Sequence, residues 1–275
     1  ALQGLPAGKN LGSVGEDIRS GEVVLAAGRV LRPQDIGVLS SIGHCEVTVV
    51  RRPRVRIVVT GDELLPAGSQ PVGDRIVDAN GPMLQALVAR DGGVAQHPGI
   101  VADDRDAIRA ALEEEADIVL TSGGSSVGQE DHVPTLLAEL GELAVHGVSM
   151  RPAAPIGMGT YQDRIVVLLP GNPVACLWGY DLIASRAIRR LGGRTAHWPY
   201  RKTTATLARD LKSSVGRVDY VRVQSSDGQV IPVPSSGASV LSSTTRADGF
   251  VVVPAEAAGL AAGDEVEMYL YDPNS

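Results

Sequence analysis

The sequence predicts an α/β protein with a doubly wound, mostly parallel sheet in a three-layer α/β/α arrangement, flanked by two small β-rich parts. Apolar runs that end in glycine-rich turns alternate with helical patterns in the middle of the chain. Short alternating segments replace the helices in the last third. The predicted parts are a β-rich N-terminal segment at 1–52, an α/β domain at 53–195 and a β-barrel-like domain at 196–275.

The first segment contains short apolar pieces cut by glycine, such as "GEVVLAAGRVL". A short helix is predicted at 33–42, because the fixed φ of Pro33 suits the first helical position. The stretch "RRP" at 51–53 marks the boundary with the next domain. Residues 1–50 are too few to bury a core alone, so the sequence predicts that they pack against a second copy of the chain.

The α/β domain opens with "RVRIVVT" at 54–60, a β-branched run typical of a buried strand. Asn80 is predicted as the N-cap of the first helix, at about 80–91. The elements predicted after it are a strand at 94–101, a helix at 104–115, a strand at 117–121, a helix at 133–140, strands at 143–149 and 155–160, a strand at 164–170 and a helix at 173–191. This alternation is typical of a parallel sheet covered by helices.

The last part of the chain has short alternating segments, among them "TTATLA", "DYVRVQ" and "DEVEMYLY". Glycine, serine and aspartate separate them, as in sheets joined by tight turns. The pattern predicts a small all-β domain.

The composition of the chain excludes several classes of function. The formal net charge is -7 and the pI about 5.3, which argues against wide contact with nucleic acid. No apolar run approaches the roughly 18 residues of a membrane span. Cys45 and Cys176 have neither disulfide-framework nor zinc spacing, so we expect a cytoplasmic location. The chain starts without methionine, and we therefore expect a processed or trimmed product.

Three turns follow predicted parallel strands, and such turns collect at one edge of the sheet, where backbone amides bind anions. They are "TGDELLPAG", "SGGSSVGQED" and "LPGNPVA". The predicted binding residues are Thr60, Gly61, Asp62, Ser122, Gly123, Gly124, Ser125, Gly128, Pro170, Gly171, Asn172 and Pro173. Each turn alone is equally compatible with a plain strand-to-helix connection. The sequence has no GxGxxG fingerprint and no Walker A motif.

Acidic residues accompany these turns, namely Asp62, Glu63, Asp78, Glu130 and Asp131. Carboxylates repel a phosphate unless a cation lies between them, and oxygen ligands suit Mg²⁺. The alternative is that these aspartates are helix caps or turn formers.

The remaining reactive side chains are assigned no role in chemistry. The histidines are scattered, and His132 in the acidic loop is assigned to the surface. Neither a GxSxG elbow nor an activated cysteine supports covalent catalysis. The arginines at 186–194 are assigned to the dipole at a helix C-terminus.

Taken together, "TGDEL", "IVDAN", "SGGSSVG" and "LPGNPVA" resemble the molybdopterin molybdenumtransferases of molybdenum cofactor synthesis, the family that includes the gephyrin E domain. The resemblance implies an enzyme that binds adenylylated molybdopterin and, with Mg²⁺, inserts molybdenum from molybdate while releasing AMP. It also implies a homodimer and exchange of the ligand with a molybdopterin adenylyltransferase.

The resemblance carries roles onto particular residues. Glu63 and Asp131 are similar to the acids that handle the metal ion, and Asp78 to the catalytic acid of the family's "DxN" turn. The turns at 122–128 and 170–173 would hold the pterin phosphate and the nucleotide. Arg151, Arg217 or Arg222, and Ser242 are further substrate-binding candidates.

The sequence departs from the family pattern in two places, and both departures bear on whether the chain has the family's enzymatic activity. Where the family has a "KPGKP"-like stretch, this chain has "RPAAP", with a cation at Arg151 but Ala154 at the second position. The family's "SAMDGYA"-like N-terminal segment is not in the sequence, and we expect that it was trimmed, is supplied by another chain, or is missing from a reduced paralogue. The alternative functions are a molybdopterin-binding carrier without turnover and the related adenylyltransferase, which ordinarily lacks the flanking β segments.

Overall fold

The computed structural model describes residues 4, 8–9, 11–124, 132–234 and 237–271. The chain divides into two compact units, Ala1–Val49 and Val50–Ser275. Among its described residues the first unit has one helix, α1 (Pro33–Ser41), and no strand. The helix was predicted, but the β-rich character was wrong there, because glycines with positive φ at 21, 28 and 43 interrupt the short apolar pieces. The domain boundaries at 52 and 195 stay predictions.

Asp35 organises the start of α1. Its carboxylate is almost fully buried and accepts hydrogen bonds from the Arg32 backbone N–H (2.9 Å) and from Arg29 Nη2 (2.8 Å). Hydrogen bonds from Arg29 and Arg32 hold the pKa of Asp35 well below its ordinary value. A charged carboxylate in the first turn also complements the helix dipole.

The second unit begins with the α/β domain. In chain order its elements are β1 (Arg54–Thr60), β2 (Leu64–Leu65), β3 (Ile76–Val77), α2 (Asn80–Arg90), β4 (Val94–Gln96), β5 (Ile100–Val101), α3 (Arg105–Glu113), β6 (Ile118–Ser122), α4 (His132–Leu140), β7 (Glu142–His146), β8 (Met150–Arg151), β9 (Gly157–Tyr161), β10 (Arg164–Leu169), α5 (Pro173–Gly179), a π-helical turn (Tyr180–Ala184) and α6 (Ser185–Leu191).

Seven of these strands form one sheet in the order β4, β1, β6, β10, β9, β7, with β5 also beside β1. The pairs of β1 with β4, β5 and β6 and of β6 with β10 are parallel, whereas β9 runs antiparallel to β10. Helices cover both faces: Leu84 of α2 and Ile188 of α6 pack in one apolar cluster, and Ile108 of α3 and Leu136 of α4 in the other. The predicted three-layer α/β/α architecture is confirmed.

The remaining elements are β11 (Arg201–Leu207), β12 (Leu211–Lys212), β13 (Val218–Ser226), β14 (Gln229–Pro232), α7 (Ser242–Thr245), β15 (Gly249–Val253), β16 (Gly259–Leu260) and β17 (Glu265–Leu270). Strands β11, β17, β15, β13 and β14 pair in that order, and β14 pairs back onto β11. The strands therefore close into a small barrel, and the predicted all-β C-terminal part is confirmed.

Aromatic side chains join the barrel to the α/β domain. Trp178 of α5 is buried and stacks on Tyr220 of β13 at 4.7 Å between ring centroids, and it meets Phe250 edge-on at 4.5 Å. Phe250 is the chain's single phenylalanine and stacks on Tyr269. The short strand β8 lies between β7 and β9 in sequence but pairs with β13 of the barrel.

Two elements differ from the expected bounds. The strand predicted at 94–101 is divided into β4 and β5, with His97, Pro98 and Gly99 between them. The helix predicted at 173–191 includes a π-helical turn at Tyr180–Ala184. No helix of the described residues is both long enough and apolar enough to cross a bilayer.

Candidate functional site

The three predicted turns begin at the same position along the strand direction, because the strands before them end in register. Val59 and Leu169 both stand in register with Ser122, so β1, β6 and β10 end side by side. Gly123 follows β6 with φ +95°, and a Cβ at this position would overlap the carbonyl oxygen of Thr60. Only glycine allows this approach. The turns at 60–63, 122–124 and 170–173 thus meet at the carboxyl edge of the sheet, here called the strand-end crevice.

Asn80 ties these turns together. Its side-chain amide donates to Ser122 Oγ (2.9 Å) and to the Gly171 carbonyl (2.7 Å). Asn80 is 7% exposed, and its Oδ1 has no donor among the described residues. The prediction that Asn80 caps α2 was wrong, because Asn80 lies in the first helical turn and Ala79 precedes it at the N-cap. Sequence order gave no sign that this amide would span two strand ends.

Asp78 lies just before Asn80 and is buried. Its Oδ1 accepts the Gly81 N–H at 2.9 Å, and its Oδ2 is 3.6 Å from His97 Nε2. Burial opposes the charged form, but hydrogen bonds from His97 and Gly81 outweigh it, and the pKa of Asp78 is below its ordinary value. The predicted acid is therefore engaged by protein groups on both oxygens.

His97 was assigned no role from sequence, yet it is 11% exposed beside Asp78. Its Nδ1 faces the Ile57 carbonyl at 3.4 Å, so both ring nitrogens face acceptors. Only the protonated ring can donate to both. The interaction with Asp78 raises the pKa of His97, although burial opposes it.

Among the other acids at this edge, Asp62 and Glu63 are exposed. Asp103, which the sequence analysis did not select, accepts a hydrogen bond from Thr60 Oγ1 (3.0 Å). Ser125, Gly128, Glu130 and Asp131 lie outside the described residues. Within the described ranges, no three His, Cys, Asp or Glu side chains are grouped to hold a metal ion.

The predicted cations Arg151 and Arg217 meet on one carboxylate. Arg151 Nη2 lies 2.7 Å from Asp219 Oδ2, and Arg217 Nε donates to Asp219 Oδ1 at 2.9 Å. The segment that carries Arg151 packs through Met150 and Ala153 against the first turn of α5. The structure therefore brings both arginines together beside the helix that follows the 170–173 turn.

Arg222 and Ser242, the other candidates from the barrel, differ in exposure. Arg222 is 6% exposed, its Nε has no partner among the described residues, and burial lowers its pKa. Ser242 is exposed at the start of α7. Just before α7, the Ala238 carbonyl accepts the Val174 N–H at 3.0 Å, which holds this part of the barrel against the start of α5.

A buried ionic cluster joins the C-terminal end of α2 to the π-helical turn and to α6. Arg90 Nη2 donates to Asp91 (2.8 Å) and Asp181 (2.6 Å), and Arg189 Nη1 donates to Asp91 (3.0 Å). Tyr200 donates to Asp181 Oδ2 at 2.5 Å. Burial raises the pKa of Asp181, although Arg90 opposes this shift. Arg189 thus binds a buried acid in addition to lying near a helix C-terminus, where the sequence analysis had placed it.

A cavity of about 710 Å³ lies at the opposite, amino edge of the sheet. Its arginines are matched by acids: Arg51 binds Asp117 through two 2.8 Å bonds, and Arg54 binds Glu115 at 2.6 Å. Because ligands of parallel sheets bind at the carboxyl edge, we assign the site to the strand-end crevice and not to this cavity.

Three known family models match successive parts of the chain. Residues 56–190 match the model of a probable molybdopterin binding domain. Residues 204–271 match the MoeA C-terminal region (domain IV), and residues 2–43 match the MoeA N-terminal region (domains I and II).

Individual relatives cover nearly the whole chain. A putative molybdopterin biosynthesis protein of Methanocaldococcus jannaschii is 33% identical over 274 residues, which are 95% of this chain and 66% of that protein. A molybdopterin molybdenumtransferase of Staphylococcus aureus is 29% identical over 278 residues, 97% of this chain and 65% of that protein. The chain thus spans slightly less than two thirds of the length of these relatives.

Solved structures agree with the sequence matches. The MoeA protein of Pyrococcus horikoshii superposes with a TM-score of 0.81 at 30% identity, covering 94% of this chain and 64% of that one. A molybdenum cofactor biosynthesis protein of Pyrococcus furiosus gives a TM-score of 0.71 at 33% identity, covering 94% of this chain and 82% of that one.

The fold and the crevice define a protein with a molybdopterin-binding type of α/β domain, linked to a closed β-barrel. The matches to the MoeA N-terminal and C-terminal regions, which lie on either side of the α/β domain, narrow this class further. The chain belongs to the MoeA family of molybdopterin biosynthesis proteins, as the sequence resemblance implied.

Gly123→Ala tests the close approach of β1 and β6. The new methyl group would overlap the Thr60 carbonyl at a positive φ, so we expect a loss of roughly 3 kcal/mol or more in unfolding free energy. Gly171→Ala is the matched control, because its Cβ would lie 3.7 Å from Gly123 Cα, an ordinary contact. Urea unfolding measures both variants. Equal stability of the two variants would contradict the packing described here.

His97→Gln tests the buried imidazolium. A raised folded-state pKa means that the charge contributes fully below the unfolded value near 6.5, and that this contribution is lost as pH rises through the folded value. The stability deficit of His97→Gln should therefore be largest at pH 6 and shrink toward pH 9. Thermal melts across this range measure it, with the exposed His197→Gln as control. A pH-independent deficit would exclude the charged pair.

Proposed function

We propose that this chain binds adenylylated molybdopterin in the strand-end crevice and takes part in inserting molybdenum from molybdate, with release of AMP. The observation that carries the proposal is the convergence of three glycine-containing turns: Asn80 joins the turns at 122–124 and 170–173, and Gly123 passes close to the Thr60 carbonyl. A ligand with a pyrophosphate needs backbone donors and positive charge, and a turn without Cβ atoms lets a phosphate approach the backbone. The proposal rests on family membership for the identity of the pterin.

Each group of the crevice has a part in this chemistry. The turns at 122–124 and 170–173 would hold the phosphates, and Asn80 fixes their separation. Arg151 and Arg217 would stabilise negative charge that develops as the phosphoanhydride bond breaks and AMP leaves. Asp78, engaged by His97 and Gly81, would hold the start of α2 and thereby Asn80, instead of transferring a proton.

Mg²⁺ belongs to the proposal as an ion shared with the ligand. Mg²⁺ in phosphate sites commonly takes one or two protein carboxylates and completes its shell with water and phosphate oxygens. Exposed Glu63 suits this role, whereas Asp78 is occupied by protein donors. We therefore propose Glu63 and Asp131 as the ligands. When bound, Mg²⁺ would neutralise the phosphate charge.

A carrier that binds the pterin without turnover is the second candidate, and Ala154 favours it. Ala154 supplies no charge where the family has a second cation. Assaying molybdenum insertion by the isolated chain separates the two functions. The adenylyltransferase alternative is disfavoured by the matches to MoeA regions on both sides of the α/β domain.

The proposed setting is the cytoplasm, with a homodimer as the assembly and a molybdopterin adenylyltransferase as the source of the ligand. Sedimentation at micromolar concentration tests the dimer. A single monomeric species would exclude it.

Calorimetric titration with molybdopterin and with AMP, each with and without Mg²⁺, tests the proposed binding. We expect binding that strengthens when Mg²⁺ is present, because the cation offsets the repulsion between the crevice acids and the phosphate. Absence of heat with every ligand in both conditions would refute the proposal.

Glu63→Gln and Asp131→Asn test the metal assignment in the same titrations. Both changes keep the side-chain shape and remove the charge, so the Mg²⁺-dependent gain in affinity should fall while the melting temperature stays unchanged. Exposed Asp74→Asn is the control. If Asp131 instead caps α4, Asn serves equally well, and Asp131→Ala costs about 0.5–2 kcal/mol of stability. Unchanged Mg²⁺ dependence in both variants would defeat the metal assignment.

A further inference from the structure

Asp219 is a buried acid that the sequence analysis did not select and that lies between two predicted ligand-binding arginines. Its side chain is 1% exposed, whereas those of Arg151 and Arg217 are 54% and 33% exposed. Arg151 Nη2 lies 2.7 Å from Asp219 Oδ2, and Arg217 donates to both oxygens, through Nε to Oδ1 at 2.9 Å and through Nη2 to Oδ2 at 3.5 Å. A carboxylate this deeply buried is costly unless its partners are held in good geometry.

The backbone around Asp219 is fixed from two sides. Asp219 stands in register with Arg151 across the parallel pair of β13 and β8, and with Val253 across β15. The Val218 N–H also donates to the Ser149 carbonyl at 2.9 Å. The carboxylate therefore has a set position relative to both chain segments that carry the arginines.

The charges of Arg151, Arg217 and Asp219 do not cancel. Two guanidinium groups and one carboxylate sum to a net charge of +1. A structural ion pair would need only one arginine, and the second leaves positive charge on two side chains that solvent reaches. Guanidinium groups suit phosphate and other oxyanions because their N–H donors lie in a planar fork.

We infer that Asp219 is a positioning residue that holds Arg151 and Arg217 together as one receptor for an oxyanion of the ligand. The inference rests on the proposed function for the identity of that ligand. Asp219 itself touches no ligand, because its oxygens are occupied by the two arginines.

A thermodynamic cycle separates positioning from a purely structural role. Affinity for inorganic pyrophosphate is measured by calorimetry for the wild type, Asp219→Asn, the double variant R151Q/R217Q, and the triple variant that combines all three changes. Asp219→Asn removes one negative charge but also frees both guanidinium groups, which must then be ordered when the ligand binds. We expect the ordering cost to outweigh the charge effect, so binding should weaken by roughly tenfold in the wild-type background. In the R151Q/R217Q background the same change should cost less than twofold.

The outcomes are distinct. An equal loss in both backgrounds would overturn the inference, because Asp219 would then act without the arginines, and a wild type that does not bind pyrophosphate would overturn it as well. A wild type that binds pyrophosphate but not molybdopterin would refute the proposed function and leave this inference standing. Asp210→Asn is the matched control, since that aspartate of the barrel region accepts the Ala262 N–H at 2.9 Å.

Asp219→Glu covers the case in which Asp219→Asn does not fold. It keeps the negative charge but moves it by one methylene, so both guanidinium groups must shift. We expect a several-fold loss of pyrophosphate affinity in the folded variant. Wild-type affinity in Asp219→Glu would contradict the positioning role.

Discussion

The contact between Gly123 and the carbonyl of Thr60 sets the geometry on which the candidate site depends. Since a Cβ at Gly123 would overlap that carbonyl, the chain leaving β6 can pass over the end of β1 only as glycine. This close passage leaves Ser122 within reach of Asn80 on α2. Asn80 reaches across to Gly171 as well, so one backbone approach fixes the relative positions of three turns.

In the proposed site the barrel carries the second group of residues, and its attachment to the α/β domain has a different physical basis. Trp178 of α5 packs between the two parts of the unit against Tyr220 and Phe250, and such aromatic pairs add about 0.5–1.5 kcal/mol beyond area burial. About one turn further along the same helical stretch, Asp181 binds both Arg90 and Tyr200. Apolar packing near the crevice and charged contacts away from it together hold the helix that begins after the 170–173 turn.

Sequence periodicity predicted the sheet well, because β1, β6 and β10 are mostly buried strands whose apolar runs can be identified without knowing their partners. It also placed the turns at one edge, since the strand direction in a parallel sheet is set by topology. The actions of Asn80, His97 and Asp219 were not predictable in this way. Asn80 is 42 and 91 residues from its two partners, and no local pattern encodes such a contact. The prediction of strands in the N-terminal segment failed for a local reason, because glycines with positive φ interrupt its short apolar pieces.

In the proposed site, both parts of the second unit are needed for a complete receptor. The backbone cradle comes entirely from turns of the α/β domain, which binds anions through amides and glycine geometry. The positive charge that we propose for the site comes from Arg151 on β8 and Arg217 next to β13, and β8 pairs with the barrel although its sequence lies within the α/β domain. Asp219 places both charges in one spot. With Ala154 in the stretch that follows Arg151, an α/β domain without the barrel would keep the cradle but lose Arg217 and the carboxylate that orients Arg151. The pairing of β8 with β13 is therefore as much a part of the site as the strand-end turns.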